Sequence, residues 1–244
     1  MKYAIISAGE GSRLAQEGVE KPKPLVEING EPMIDRLIRI FSDNNAEEII
    51  VIVNNLTSMV QEHIKNANYP VPVKLVVKTT PSSMHSFYEL SKFLGEGKFC
   101  LTTVDTIFKE QDFTEYINAF ESSDKDGLMA VTDYIDDEKP LYVSTDKDMF
   151  ITGFHDSLQD FEASSKSLPA DSVCRYISGG IYCLDHKAID VLDKCIQSGM
   201  SRMRNFQRQL VKEGLVLKAF PLSKILDVDH VTDIEKANKF LLEK

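Results

Sequence analysis

The chain has no tryptophan in 244 residues, and its 28 lysines and arginines are outnumbered by 38 aspartates and glutamates. A net charge of −10 excludes nucleic acid as the expected partner, because phosphate-backbone contacts need a basic face. No run approaches the roughly 18–20 apolar residues of a membrane span, so no membrane association is expected. The start also lacks the pattern of a signal peptide. Four cysteines, Cys100, Cys174, Cys183 and Cys195, show no C-x-x-C spacing. That favours small buried thiols in a reducing compartment over a zinc or redox motif, and the expected location is the cytoplasm. The string G-x-x-x-x-G-K-[ST] is absent, which excludes a P-loop, and no Ser-His-Asp or Cys-His arrangement offers a nucleophile.

What is present is concentrated in the first thirty-three residues. The apolar run Lys2–Ser7 breaks into Ala8-Gly-Glu-Gly-Ser-Arg-Leu14, followed by Lys21-Pro-Lys-Pro-Leu25 and Ile28-Asn-Gly-Glu-Pro-Met33. Glycines at a strand end let backbone N–H groups approach phosphate oxygens where a Cβ would clash. The candidate nucleotide contacts here are Ala8, Gly9, Gly11, Ser12 and Arg13. Arg13 offers a planar fork of donors to one phosphate, and Lys23 a compact point charge to another. Pro22 and Pro24 stiffen the segment that carries Lys21 and Lys23. A dinucleotide fingerprint would need a third glycine where Leu14 stands and a carboxylate about 20 residues further on, which Glu27 supplies only loosely.

The ordered set Ala8-Gly-x-Gly-Ser-Arg-Leu14, Pro22-Lys-Pro-Leu25 and Gly30-x-Pro-Met33 resembles the signature of the sugar-1-phosphate nucleotidyltransferases. That wider group includes phosphocholine cytidylyltransferase-like enzymes. Two features depart from it. The usual Leu-Ala-Ala-Gly opening is Ile6-Ser7-Ala8-Gly9 here, and the gap from Arg13 to Lys23 is shorter than in hexose-specific members.

The remainder alternates strands and amphipathic helices. Helices are expected at about Met33–Asn44, Ser58–Lys65 and Ser83–Leu94, and strands at Glu48–Val53, Pro72–Val77 and Lys98–Val104. Further strands are expected at Gly127–Asp133, Leu141–Ser144, Phe150–Phe154, Tyr176–Leu184 and Leu215–Phe220. Helices should begin near Lys187, Arg204 and Asp233. Residues 155–173 read as a mobile loop over the site. The expected fold class is α/β: a doubly wound, mostly parallel mixed sheet flanked by helices, formed by 1–244 as a single domain.

Asp105 follows the Lys98–Val104 run. Ligands of open α/β sheets bind beyond the carboxyl ends of the strands, so a carboxylate there suits Mg2+. The resemblance implies a second metal aspartate in Ile225-Leu-Asp-Val-Asp-His230, with Asp227 the first choice and Asp229 the second. In place of the family's frequent tryptophan stands Ile225, and Val104 replaces the glycine usual before the first aspartate. Asp233 suits the first turn of the helix that follows.

Base recognition is expected from the Thr79–Ser83 loop, with Thr80, Ser82 and Ser83 as candidates. Capping of the following helix explains Ser82 or Ser83 equally well. The family carries a glycine before a similar Ile-Tyr strand, which makes Gly179 and Gly180 the acceptor-pocket candidates. Arg175 and Arg202 are weaker candidates for an anionic acceptor.

The resemblance implies Mg2+-dependent transfer of a nucleoside monophosphate from a nucleoside triphosphate to a small phosphorylated acceptor, with release of pyrophosphate. The first choice of acceptor is a sugar 1-phosphate, and the alternative is a phosphocholine- or phosphonate-type acceptor taken by a cytidylyltransferase of the same fold. A catalytically silent nucleotide-binding module is the alternative from another class. A GT-A glycosyltransferase would carry an Asp-x-Asp where Asp105-Thr-Ile107 stands.

Overall fold

The computed structural model describes residues 1–9, 11–136, 138–164 and 175–243. The chain begins with β1 (Lys2–Ser7), a short α1 (Ser12–Gln16) and a 3-10 turn at Lys23–Leu25. Then come β2 (Glu27–Ile28), β3 (Glu31–Pro32), α2 (Met33–Asp43), β4 (Ile49–Val53), α3 (Ser58–Asn66), β5 (Val73–Val77), α4 (Ser83–Ser91), β6 (Phe99–Thr103) and β7 (Thr106–Ile107). Next follow α5 (Glu110–Glu121), β8 (Gly127–Thr132), β9 (Tyr142–Thr145), β10 (Ile151–His155), α6 (Leu158–Ser164) and β11 (Tyr176–Leu184). The last elements are α7 (Lys187–Gln197), α8 (Met203–Lys212), β12 (Leu217–Pro221), β13 (Leu226–Asp227) and α9 (Val231–Leu242). These group into two compact units, Met1–Ile107 with Leu226–Lys244, and Phe108–Ile225.

In the first unit β6, β1, β4 and β5 lie side by side and all run parallel. The reason is visible in β4, Ile-Ile-Val-Ile-Val, whose five residues are all buried, as a strand covered on both faces requires. Alternation sends Tyr3, Ile5 and Ser7 of β1 to one face. There the Tyr3 ring stacks on Phe41 of α2 with centroids 4.6 Å apart, and its hydroxyl donates to Asn44 O at 2.8 Å. Helix α2 buries Met33, Ile34, Leu37, Ile38, Ile40 and Phe41. Full burial of one such side chain is worth about 1.5–3 kcal/mol. On the opposite face Phe87 of α4 meets Phe99 of β6 at 5.8 Å.

The register aligns the strand ends: Ser7 opposes Val53, and Ile6 opposes Thr103. Strand β1 is followed on one side by β4 and β5 and on the other by β6. The order therefore reverses between β1 and β6, the kind of switch point where loops diverge and leave a crevice.

The second unit is mixed. Strand β11 pairs antiparallel with β8 and β9, β9 pairs antiparallel with β10, and β12 runs parallel to β8. Helix α5 anchors here through Tyr116, whose hydroxyl donates to Leu128 O at 2.5 Å and accepts from Cys183 N at 2.9 Å.

The α/β class is as expected, with parallel strands linked by helices and the main antiparallel pairs in the second unit. Three helices differ from the sequence reading. Helix α5 was not anticipated, although Phe113, Tyr116, Ile117 and Phe120 are spaced as a buried helical face. Helix α1 was not anticipated either. Within the loop expected over 155–173, residues Leu158–Ser164 form α6, with Phe161 buried, while 165–174 lie outside the described residues. No helix among the described residues is long and apolar enough to cross a membrane. Cys100, Cys183 and Cys195 are buried.

Candidate active site

The carboxyl ends of β1 and β6 open onto a cavity of about 450 Å³ in the first unit. Its walls are residues 6–9, 11–13, 23–24, 80–83 and 103–105, with Ser86 and Asp229. Of the residues singled out in the sequence, Ala8, Gly9, Gly11, Ser12, Arg13, Lys23, Thr80, Ser82, Ser83 and Asp105 all line it.

At its centre Lys23 Nζ bonds a carboxylate oxygen of Asp105 and, at 2.7 Å, Asp229 Oδ1. The other oxygen of Asp229 accepts from Arg13 Nη1 at 2.7 Å. Two cations and two carboxylates thus form one chain of contacts, brought from four separate stretches of sequence. Burial works against a charge on Lys23, yet Asp105 and Asp229 outweigh it and hold the ammonium above the ordinary lysine value. Lys23 is therefore fully charged at neutral pH.

The local structure that places Lys23 is the 3-10 turn Lys23–Leu25, with Pro24 and Leu25 buried and Val26 N donating to Lys23 O at 3.1 Å. Gly11 makes the close approach possible. Its φ is 61°, in the left-handed region, and a Cβ there would lie 2.9 Å from Lys23 Cβ. Arg13 sits on α1, which is tied to the start of α9. Glu17 accepts from Val231 N at 2.7 Å and contacts His230 Nδ1 at 2.5 Å. The hydrogen bond to Glu17 raises the His230 pKa, and the same bond lowers that of Glu17. Asp233 accepts from His230 N at 2.8 Å and Asp229 N at 3.2 Å, capping α9, in keeping with its expected place in the first turn.

On the α4 side the wall is hydroxyl-rich. Thr80 Oγ1 and Ser86 Oγ are 2.6 Å apart. Ser82 stands at the N-cap position of α4, but its hydroxyl contacts His85 Nδ1 at 2.9 Å and no backbone N–H of the helix. Ser7, where the family signature has alanine, is 2 % exposed, and its hydroxyl has no hydrogen-bond partner among the described residues.

The cavity takes in Asp229 and not Asp227. Asp227 is exposed on β13, opposite Thr106 in an antiparallel pair with β7. Strand β13 ends there, and Val228 N donates to Asp105 O at 3.1 Å, so the next carboxylate along the chain is the one that meets Lys23. Gly179 lies on β11 of the second unit. A Cβ there would fall 2.1 Å from Ile225 Cδ1, so packing explains the glycine. Arg175 is exposed and paired with Glu162 at 3.0 Å, and Arg202 stands at the N-cap of α8. Ser7, Pro24, Pro81, Ser86 and Thr103 line the cavity without having been singled out. Their only sequence signal is adjacency to the glycine turn, the lysine turn, the hydroxyl loop and Asp105.

Among the described residues no group of three or more His, Cys, Asp or Glu side chains is arranged to hold a metal ion. Asp105 and Asp229, gathered on one ammonium, are the donor set Mg2+ accepts when waters and substrate phosphates supply the remaining ligands.

The chain is 26% identical over 249 residues to the bifunctional protein GlmU of Methanocaldococcus jannaschii, covering 100% of this chain and 55% of that protein. It thus spans about half the length of the curated relatives it matches from end to end. Among solved structures it resembles the inositol-1-phosphate CTP transferase from T. maritima, with a TM-score of 0.78 and 16% identity over 99% of this chain and 96% of that one. It also resembles the CTP:phosphocholine cytidylyltransferase from Streptococcus pneumoniae, with a TM-score of 0.73 and 21% identity over 98% of both chains. At these identities the two structures speak to the fold alone. The family model described as Nucleotidyl transferase matches residues 2–244, and the chain belongs to that family.

Proposed function

We propose that the chain is a Mg2+-dependent nucleotidyltransferase that moves a nucleoside monophosphate from a nucleoside triphosphate to a small phosphorylated acceptor and releases pyrophosphate. The observation that carries this reading is the Lys23 ammonium held by Asp105 and Asp229 in a cavity walled by the glycine turn. One family model running across residues 2–244 supports treating the chain as a single catalytic domain.

A phosphate oxygen of the acceptor attacks the α-phosphorus in line, and the bond to the β-phosphate oxygen breaks as pyrophosphate leaves. Both reactants are anions, so the protein contributes position and neutralisation. Lys23 stabilises the negative charge that develops on the α-phosphate. Arg13, more exposed at the rim, holds the departing β- and γ-phosphates. Asp105 and Asp229 are the residues that would hold Mg2+, which when bound supplies a Lewis acid to the phosphate oxygens. No general base is required, because the acceptor phosphate is already ionised at neutral pH. The hydroxyls of Thr80, Ser82 and Ser83 and the start of α4 read the base or ribose.

The acceptor we assign first is a sugar 1-phosphate, the substrate class that the family signature implies. Phosphocholine is the second, favoured by the short interval between Arg13 and Lys23 and by the fold shared with the pneumococcal enzyme. The cytoplasm, where nucleoside triphosphates are available, is the compartment this chemistry needs. A pyrophosphate-release screen tests the reading by crossing CTP, UTP, dTTP, ATP and GTP with sugar 1-phosphates, inositol 1-phosphate, phosphocholine and phosphonates, with and without Mg2+. One metal-dependent productive pair is the expected result. Triphosphate binding with silence across all acceptors would favour the non-catalytic module.

A further inference from the structure

The loop that approaches the nucleotide has carbonyl groups as well as N–H groups, and a carbonyl turned toward a triphosphate repels it. Asn54, the residue after β4, meets two of these carbonyls. Its side-chain Nδ2 lies 3.3 Å from Ala8 O and 3.3 Å from Gly9 O. An amide NH2 carries two hydrogens, one for each acceptor. The orientation of this amide is fixed from its other end, because Oδ1 accepts from Leu56 N at 2.9 Å. The residue is 1 % exposed and does not line the cavity.

Its own backbone is held in turn. Asn54 O accepts from Thr57 Oγ1 and from Gln61 Nε2 of α3, both at 3.2 Å. Beside it, Asn55 N donates to Thr79 Oγ1 at 3.2 Å, at the head of the Thr80–Ser83 wall. In a trans peptide the C=O and the following N–H point in opposite directions. Drawing the Ala8 carbonyl toward Asn54 therefore turns the Gly9 N–H the other way.

We infer that Asn54 is a positioning residue for the nucleoside triphosphate: its amide draws the Ala8 and Gly9 carbonyls off the phosphate path and so presents the loop's N–H side to the substrate. This rests on the reading of the cavity as a nucleotide site. Asn54 touches no reacting atom and acts through the loop alone. Its effect is confined to the triphosphate, because among the described residues its hydrogen bonds reach no further than the glycine turn and the start of α3.

Two full-length variants test it. Asn54→Asp keeps the acceptor for Leu56 N–H but sets an oxygen against both carbonyls. Asn54→Ala removes the donors without adding repulsion. Each is titrated with the five triphosphates by calorimetry in the absence of acceptor, then assayed with the productive substrate pair. The expected result is a rise of about tenfold in Kd and KM for the triphosphate, as loss of the paired hydrogen bonds implies, with acceptor KM unchanged. Should Asn54→Asp fail to fold by circular dichroism, Asn54→Ala decides. Unchanged triphosphate binding in a folded variant overturns the assignment, as does an equal rise in both KM values. Loss of folding in both variants also overturns it, since the amide would then be holding the fold. A wild-type protein that binds no triphosphate would instead remove the nucleotide-site reading, and this inference with it.

Discussion

Lys23 Nζ reaches Asp229 Oδ1 at 2.7 Å across 206 residues of chain. The lysine side chain is 11% exposed and the aspartate 42%, so the contact runs from a sheltered cation to a carboxylate that water and substrate can reach. Such a pair is a weak stabiliser of the fold, because solvent screens its open side. Its value lies in placing a fixed positive charge among carboxylates at a strand edge.

Replacing that charge is the most direct test. Lys23→Ala is expected to lower kcat by at least about 10²–10³-fold, the usual effect of removing one preorganised electrostatic group. Far-UV circular dichroism should be unchanged, since the side chain packs no core. Lys23→Arg should not restore turnover, because a planar fork does not reproduce a compact point charge between two carboxylates. Pyrophosphate release at saturating substrate is the measurement.

The two late aspartates should separate cleanly. Asp229→Asn removes the negative charge shared by Arg13 and Lys23 and is expected to abolish metal-dependent turnover. Asp227→Asn, on the exposed side of β13, should retain most of it. A Mg2+ titration of each variant reads the difference as a shift in the metal concentration giving half-maximal rate.

Gly11→Ala should damage both stability and activity. The added Cβ meets Lys23 Cβ at 2.9 Å, and the backbone is left-handed, with φ at 61°. The left-handed conformation alone costs a non-glycine residue about 1–2 kcal/mol. A thermal melt should show that loss. The triphosphate KM should rise in parallel as Lys23 is displaced.

Acid should weaken the second unit through Asp156. Its carboxylate is bonded by Arg208 at 2.6 Å and by Arg204 at 2.5 Å. The Arg208 hydrogen bond, opposed by burial and aided by Arg204, holds its pKa below the usual aspartate value. A depressed folded pKa means stability that is present above the unfolded value and lost as pH falls through the folded one. Denaturant melts of wild type and Asp156→Asn should therefore differ at neutral pH and converge below about pH 4.

Much of the first unit was legible because its signals are local. Buried strands such as Ile49–Val53 are continuous apolar runs, and the glycine turn and doubled Lys-Pro are short motifs with their own backbone preferences. Helix α5 went unread even though its apolar spacing is regular. The charged string Lys109-Glu-Gln-Asp112 at its start reads as a turn until Phe108 and Phe113 are seen stacked at 4.9 Å. Asn54 carried no signal at all, since its partners Ala8 and Gly9 lie more than forty residues away.

The sequence by itself determined that β1 ends in a glycine turn, that Arg13 and Lys23 stand close behind it, and that a carboxylate follows β6. Backbone stiffness and side-chain period are properties of neighbouring residues, so a single chain segment displays them. Which late aspartate completes the cluster was decided only in three dimensions. Asp227 and Asp229 are two residues apart and would share a face of any strand that ran through both, so alternation does not separate them. The choice is made where β13 leaves its pairing with Thr106–Ile107 and turns into α9, whose start is held by Glu17 and capped by Asp233. Those restraints come from distant parts of the chain, and they carry Asp229, not Asp227, to the Lys23 ammonium.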